Sequence, residues 1–165
     1  MIDVSNKEGQ RFMPRTRNLP TRDELATWRS FLETTEALRS VLAARLQRDC
    51  GLSPGDYAVL LALSETEDGR RRSSDLAATI NWERSRLSHH LGRMEQRGLI
   101  RRERTATDSR GAEIILEPAG TDAFRAATIA HLRAIRELFV DALTPDQLAA
   151  AAGIATALRN HLSNP

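Results

Sequence analysis

A stripe of mostly apolar residues returns every three or four positions through Leu25, Trp28, Leu32, Thr35, Leu38, Leu42 and Leu46, and so draws one face of a helix reaching about Arg48. Thr21, with Glu24 three residues on, is a capping box that opens this helix, and Gly51 stops it. Upstream, residues 1 to about 20 carry Gly9, Pro14 and Pro20 among polar neighbours without a sustained period, and a mobile arm is expected there.

Ser53 as N-cap and Pro54 at the first helical position open a second helix, filled by Tyr57, Leu60, Leu61 and Leu63 and expected to end near Asp68-Gly69. Ser73 or Ser74 is expected to cap a third, short helix containing Leu76, Ala77 and Ile80. A fourth is expected from about 83 to 97, closed by Gly98 just past its end. After Gly98 the period becomes strand-like over 99–104 and again over 112–116, around a polar tip with Asp108 and Gly111, which predicts a β-hairpin. Helical spacing returns from Gly120 through Phe124, Ile129, Leu132, Ile135, Phe139 and Leu143, breaks at Thr144-Pro145, and resumes through Leu148, Ile154, Leu158 and Leu162.

The expected fold is therefore mainly α with a small β-wing: a winged helix-turn-helix lobe over 53–118, flanked by N- and C-terminal dimerisation helices over 21–50 and 120–162. The flanking helices would bury little against so small a lobe and call for a partner. Two-fold dimers are the commonest soluble oligomers and match pseudo-palindromic DNA, so a homodimer is preferred over a bundle wrapped within one chain.

Composition narrows the picture. At 165 residues the chain suits one domain with a real core. It has no apolar run near the ~20 residues that cross a bilayer, and its first residues lack the apolar core of a signal peptide; a cytoplasmic protein without a membrane partner is expected. Cys50 is the single cysteine, and the four histidines show no metal-ligand spacing, so neither a metal nor another cofactor is called for. Net charge is only +2, yet between Arg70 and Arg110 eleven arginines face five acids. Such a basic run is the footprint expected of nucleic-acid binding, and also of a merely solvated face.

Helical geometry divides the fourth helix. Leu87, Leu91 and Met94 share one face, and Ser85, His89, Gly92 and Gln96 lie opposite, with Ser88 and Arg93 at the shoulders. His89 points outward, toward the floor of a major groove, while His90 falls beside Arg86 and Arg97 on a flank suited to phosphates or to packing. Serine, histidine and arginine all have partners on base edges; Arg86 or Arg93 on guanine is the sharpest candidate contact, and phosphate is the alternative for both. Gly92 allows close approach of a duplex or is simply a tolerated surface glycine. On the hairpin tip, Arg110 is placed to enter the minor groove, with Asp108 orienting its guanidinium; a surface ion pair is the bland alternative. The candidate DNA contacts are thus Ser85, Arg86, Ser88, His89, Arg93 and Arg110.

The segments LSPGDYAVLLALSE from Leu52, SDLAATI from Ser74, SRLSHHLGRMEQRGLIRR from Ser85, DSRG from Asp108 and LEPAG from Leu116 follow one another between long helices. In that order the chain resembles the MarR family of bacterial winged-helix transcriptional regulators over about residues 21 to 162. The resemblance implies a homodimer with recognition helices in major grooves and wings in minor grooves, Arg110 being the wing's DNA-contacting arginine and Asp108 its partner. It also implies a repressor released by a small, often aromatic, effector. Glu117-Pro118 departs from the leucine-threonine pair of many members. Trp28 and His131 are the candidate effector-binding residues, although an apolar stripe at helical spacing reads first as core, and Trp28 is expected to be core. Cys50 lies at the far end of the first helix from the position of known redox cysteines and reads as structural or idle. Two other readings stand beside this one: a ligand-insensitive DNA-binding regulator, and a winged-helix module engaging an acidic protein. An enzyme finds no support, since no nucleophile with a neighbouring base, phosphate loop or metal motif can be assembled.

Overall fold

A computed structural model describes residues 19–104 and 112–163 of the chain. The expected N-terminal arm and the hairpin tip with Asp108 and Arg110 lie outside the described residues. Helix α1 spans Arg22–Cys50; described residues up to Glu36 belong to one compact unit and those from Ala37 to another.

In the first unit the capping box forms in both directions, Thr21 N donating to Glu24 Oε2 at 2.8 Å and Glu24 N to Thr21 Oγ1 at 3.3 Å. Leu25, Trp28, Phe31 and Leu32 are all exposed. Trp28 is 59% exposed, so the expectation that it is core does not hold within this chain.

The second unit holds the core. Helix α2 (Pro54–Ser64) opens with Ser53 and Asp56 in a reciprocal cap, and it closes at Ser64 rather than near Gly69. Its last carbonyls are taken earlier than the sequence suggests, Leu61 O by Ser64 Oγ and Leu63 O by Thr66 Oγ1. A short strand, β1 (Arg70–Arg72), follows, and no pattern in the sequence announced it. Helix α3 (Ser73–Thr79) starts without a side-chain cap: Ser73 is already helical, and Ser74 Oγ donates to Asp75 Oδ1, so neither serine caps it.

Asn81 sits at φ 53°, where Trp82 N donates to Ala77 O and Asn81 N to Ala78 O, a left-handed stop that turns the chain from α3 into helix α4 (Arg84–Gln96). Gly98, at φ 70°, ends α4 in the same way, with Leu99 N on Met94 O and Gly98 N on Glu95 O. Strands β2 (Ile100–Arg104) and β3 (Ala112–Leu116) pair antiparallel, and β1 lies on the far side of β3, giving the order β1-β3-β2.

Leu46 of α1, Leu60 and Leu63 of α2, Leu76 of α3, Leu87, Leu91 and Met94 of α4, Ile100 and Ile114 of the sheet, and Ala127 of helix α5 (Pro118–Ile135) fill one continuous core. Gly120 lets α5 start against the chain entering β2, because a Cβ there would run into the Leu99 carbonyl. After α5 one π-helical turn (Arg136–Val140) carries Glu137, which takes a forked pair of hydrogen bonds from Arg45 at 2.7 and 2.8 Å. Helix α6 (Pro145–Ser163) is opened by Thr144 and Gln147 and has no buried residue; Ile154, Leu158 and Leu162 are exposed along it.

Candidate nucleic-acid interface

Helix α4 packs Leu87, Leu91 and Met94 into the core, as its sequence pattern predicts, and turns Ser85, Ser88, His89, Arg93 and Gln96 outward. Gly92 is half-buried, and a Cβ placed on it would meet only the Arg102 guanidinium, at 3.9 Å. Small and hydrogen-bonding side chains on an exposed helix face suit entry into a major groove, and large apolar anchors are absent from these positions.

The basic run separates into arginines with carboxylate partners and arginines without. Arg102 of β2 gives three hydrogen bonds to Glu95 of α4: its backbone N at 3.0 Å, Nε at 2.8 Å and NH2 at 2.6 Å. These bonds, the side-chain ones foremost, hold the Glu95 carboxyl below its ordinary pKa against the opposing effect of burial. Arg101 pairs with Glu103 and Glu117, Arg70 with Glu103 and Glu113, and Arg97 with Asp56. Arg71 donates to Thr79 Oγ1. Among the described arginines of the run, Arg71, Arg72, Arg84, Arg86 and Arg93 face no carboxylate. The uncompensated charge therefore concentrates on α4 and at the start of α3, while most of the strand arginines serve the fold.

His90 takes the packing alternative left open for it. It is 8% exposed, its ring meets Trp82 edge to face at 5.1 Å, and Gly55 leaves the space it occupies, since a Cβ on Gly55 would lie 2.9 Å from the imidazole and 2.7 Å from the indole. Arg86 covers the Trp82 ring at 4.2 Å, a cation–π contact. Arg93 NH2 donates to His90 Nδ1 at 2.9 Å. On the other side of the ring Nε2 stands 2.9 Å from Asp56 Oδ1, an approach that is close but too bent for a straight hydrogen bond.

Burial would raise the Asp56 pKa, but hydrogen bonds from the Ser53 backbone, Arg97 and the Ser53 hydroxyl outweigh it and hold the carboxyl below its ordinary value. For His90, burial dominates and pushes the pKa down, with Arg93 and Arg86 acting in the same sense and Asp56 opposing. Sequence reasoning missed Trp82, Asp56 and the Glu95–Arg102 lock. Only Asp56 had a local signal, three residues after the Ser53 cap.

The effector candidates fall in different units, Trp28 before Glu36 and His131 after it. His131 lies 5.1 Å from the Tyr57 ring, with its Nδ1 buried and unpartnered, beside a cleft lined by Leu42, Arg45, Leu46, Asp49, Ala130 and Ala134 that has no room for a water molecule. Burial, and then Asp49, pushes the Cys50 thiol pKa up, away from the reactive thiolate. Among the described residues no cluster of metal-ligating side chains is present, and no helix is long and apolar enough to cross a membrane.

A winged helix with an outward basic recognition helix is a common DNA-reading architecture, and comparison with known proteins places this one. The sequence profile of the MarR family matches residues 51–111. The crystal structure of AbsC, a MarR family transcriptional regulator from Streptomyces coelicolor, is similar over 90% of this chain and 100% of its own, at 34% identity and a TM-score of 0.73. The chain belongs to the MarR family. Sco3205, a MarR family regulator from the same organism solved in complex with DNA, is similar at 35% identity with a TM-score of 0.77, over 90% of this chain and 92% of that one. The organohalide-sensing regulator RdhR-CbdbA1625, solved with 2,4-dichlorophenol, shares the fold at 21% identity and a TM-score of 0.72, over 90% of this chain and 89% of its own. No curated protein matches. As a MarR-family transcriptional regulator, the protein is a DNA-binding winged helix.

Proposed function

We propose that this MarR-family protein is a cytoplasmic homodimeric repressor that binds a pseudo-palindromic duplex. In this reading α4 lies in the major groove, the wing lies in the minor groove, and a small effector releases the complex. The observation that carries the DNA-contacting part is the exposed face of α4, with Ser85, Ser88 and His89 between arginines that face no carboxylate. Ser85, Ser88 and His89 meet base edges; Arg93 at the shoulder and Arg86 on the flank take guanine or phosphate; Arg110, oriented by Asp108, enters the minor groove.

The homodimer is supported by α6, a helix of 19 residues with none buried, whose exposed Ile154, Leu158 and Leu162 need an apolar partner to be stable in water. The effector reading is supported by a structural relative holding 2,4-dichlorophenol, and its candidate residues are His131, whose buried Nδ1 is unpartnered, and Trp28. Binding to duplexes from the protein's own upstream region tests the whole reading. Affinity should fall steeply with salt as counterions are released, and salt-independent binding would contradict it.

A further inference from the structure

Arg93 has one exposed end and one committed end. It stands at the shoulder of the outward face of α4, yet one of its guanidinium nitrogens gives a hydrogen bond to a buried imidazole at 2.9 Å rather than to solvent. A guanidinium only donates, so Nδ1 of His90 must be the bare acceptor nitrogen and the ring proton must sit on Nε2, facing Asp56. Asp56 is fixed in turn. Its Oδ2 accepts from Ser53 N and from Arg97 Nη1, both at 2.8 Å, and Arg97 Nη2 donates to Gly51 O at 2.7 Å. The imidazole is walled by Trp82 and Gly55.

We propose that His90 is a positioning residue for DNA binding, its neutral imidazole fixing the Arg93 guanidinium so that the free donors meet a backbone phosphate, and its protonation releasing that arginine. The proposal rests on the reading that α4 faces a duplex. It assigns Arg93 to phosphate and leaves base reading to Ser85, Ser88 and His89. A guanidinium held at one nitrogen is pre-organised and gives up less side-chain entropy on binding than a free one.

The groups that face His90 decide its titration. Arg93 and Arg86 on α4 and burial oppose the imidazolium; Asp56 on α2, itself shared with Arg97, favours it; Trp82 and Gly55 add no charge. When the ring takes a proton both nitrogens become donors, so the Arg93 bond is lost and two positive groups face each other.

A double-mutant cycle tests this, using a short duplex selected by the wild-type protein from a random-sequence pool and fluorescence anisotropy at about pH 8. His90→Leu is expected to weaken binding about tenfold in the wild-type background and less than about twofold with Arg93→Ala. His90→Asn, whose amide oxygen reaches the Nδ1 position, restores most of the affinity. Equal losses in the two backgrounds would mean that His90 serves only folding and would overturn the proposal. Imidazole nitrogen shifts should place the proton on Nε2; a proton on Nδ1 would overturn it as well. Lowering the pH until the imidazole nitrogen shifts report protonation of His90 should narrow the gap between wild type and Arg93→Ala, and a constant gap removes the release. If Arg93→Ala has no effect while His89→Ala weakens binding, the His90 proposal fails alone. If neither has an effect, the docking of α4 fails and takes the proposal with it.

Discussion

Arg97 illustrates how a residue's charge alone misleads about its task. It sits at the end of a basic helix, but its guanidinium bridges a carboxylate that is 4% exposed and the Gly51 carbonyl. Arg97→Ala should therefore destabilise the fold by about 2 kcal/mol, measured by urea unfolding, because a buried carboxylate loses a charged donor. The same carboxylate sets an acid limit. Its folded pKa lies below the ordinary 3.8, so the stability it contributes is complete above about that pH and is lost as the pH falls further through the folded value. His90 works in the other direction of charge: with its folded pKa below 6.5, it stabilises the fold most above that value and loses this contribution as the pH drops beneath it. Helical angles explain why the sequence left His90 open. It lies about 60° from Leu87, at the edge of the buried arc, and only Trp82 and Gly55, distant in sequence or unremarkable in type, bring it inside.

At the scale of elements, the helices with caps were legible and the unpatterned pieces were not. The Thr21–Glu24 and Ser53-Pro54 starts and the Gly98 stop all form, because each depends on residues within one turn. Strand β1 is three arginines with no alternation to read; it exists because β3 offers a free edge to Arg70–Arg72. The π-helical turn after α5 has no sequence signature of its own either. The left-handed Asn81 was equally silent, yet it sets the turn between α3 and α4. Asn81→Gly should leave thermal stability nearly unchanged, whereas Asn81→Val should cost about 1–3 kcal/mol, since a β-branched residue is strained there. The Glu95–Arg102 lock ties the recognition helix to the first strand of the wing. Glu95→Gln should weaken duplex binding through the wing while leaving the helix folded, as checked by circular dichroism beside an anisotropy titration.

For the whole molecule, the apolar residues left outside are as informative as the core. Sequence periodicity marked Leu25, Trp28 and Leu32 and also Ile154, Leu158 and Leu162 as stripes, but periodicity does not say whether a stripe meets its own chain or another. All six are exposed in the single chain, which is the arrangement the homodimer reading requires. Sedimentation at micromolar concentration should give a dimer, and Leu158→Glu should shift it toward monomer and weaken duplex binding together; a stable wild-type monomer would undo the proposed assembly.

The central claim, that the outward face of α4 lies in the major groove, has a direct chemical readout. Dimethyl sulfate attacks guanine N7 in the major groove and adenine N3 in the minor groove. On a selected duplex, wild-type protein should protect N7 in two patches separated by about one helical turn or a small multiple of it, and His89→Ala should reduce that protection. Protection confined to adenine N3, with every N7 reacting as in free DNA, would contradict the account.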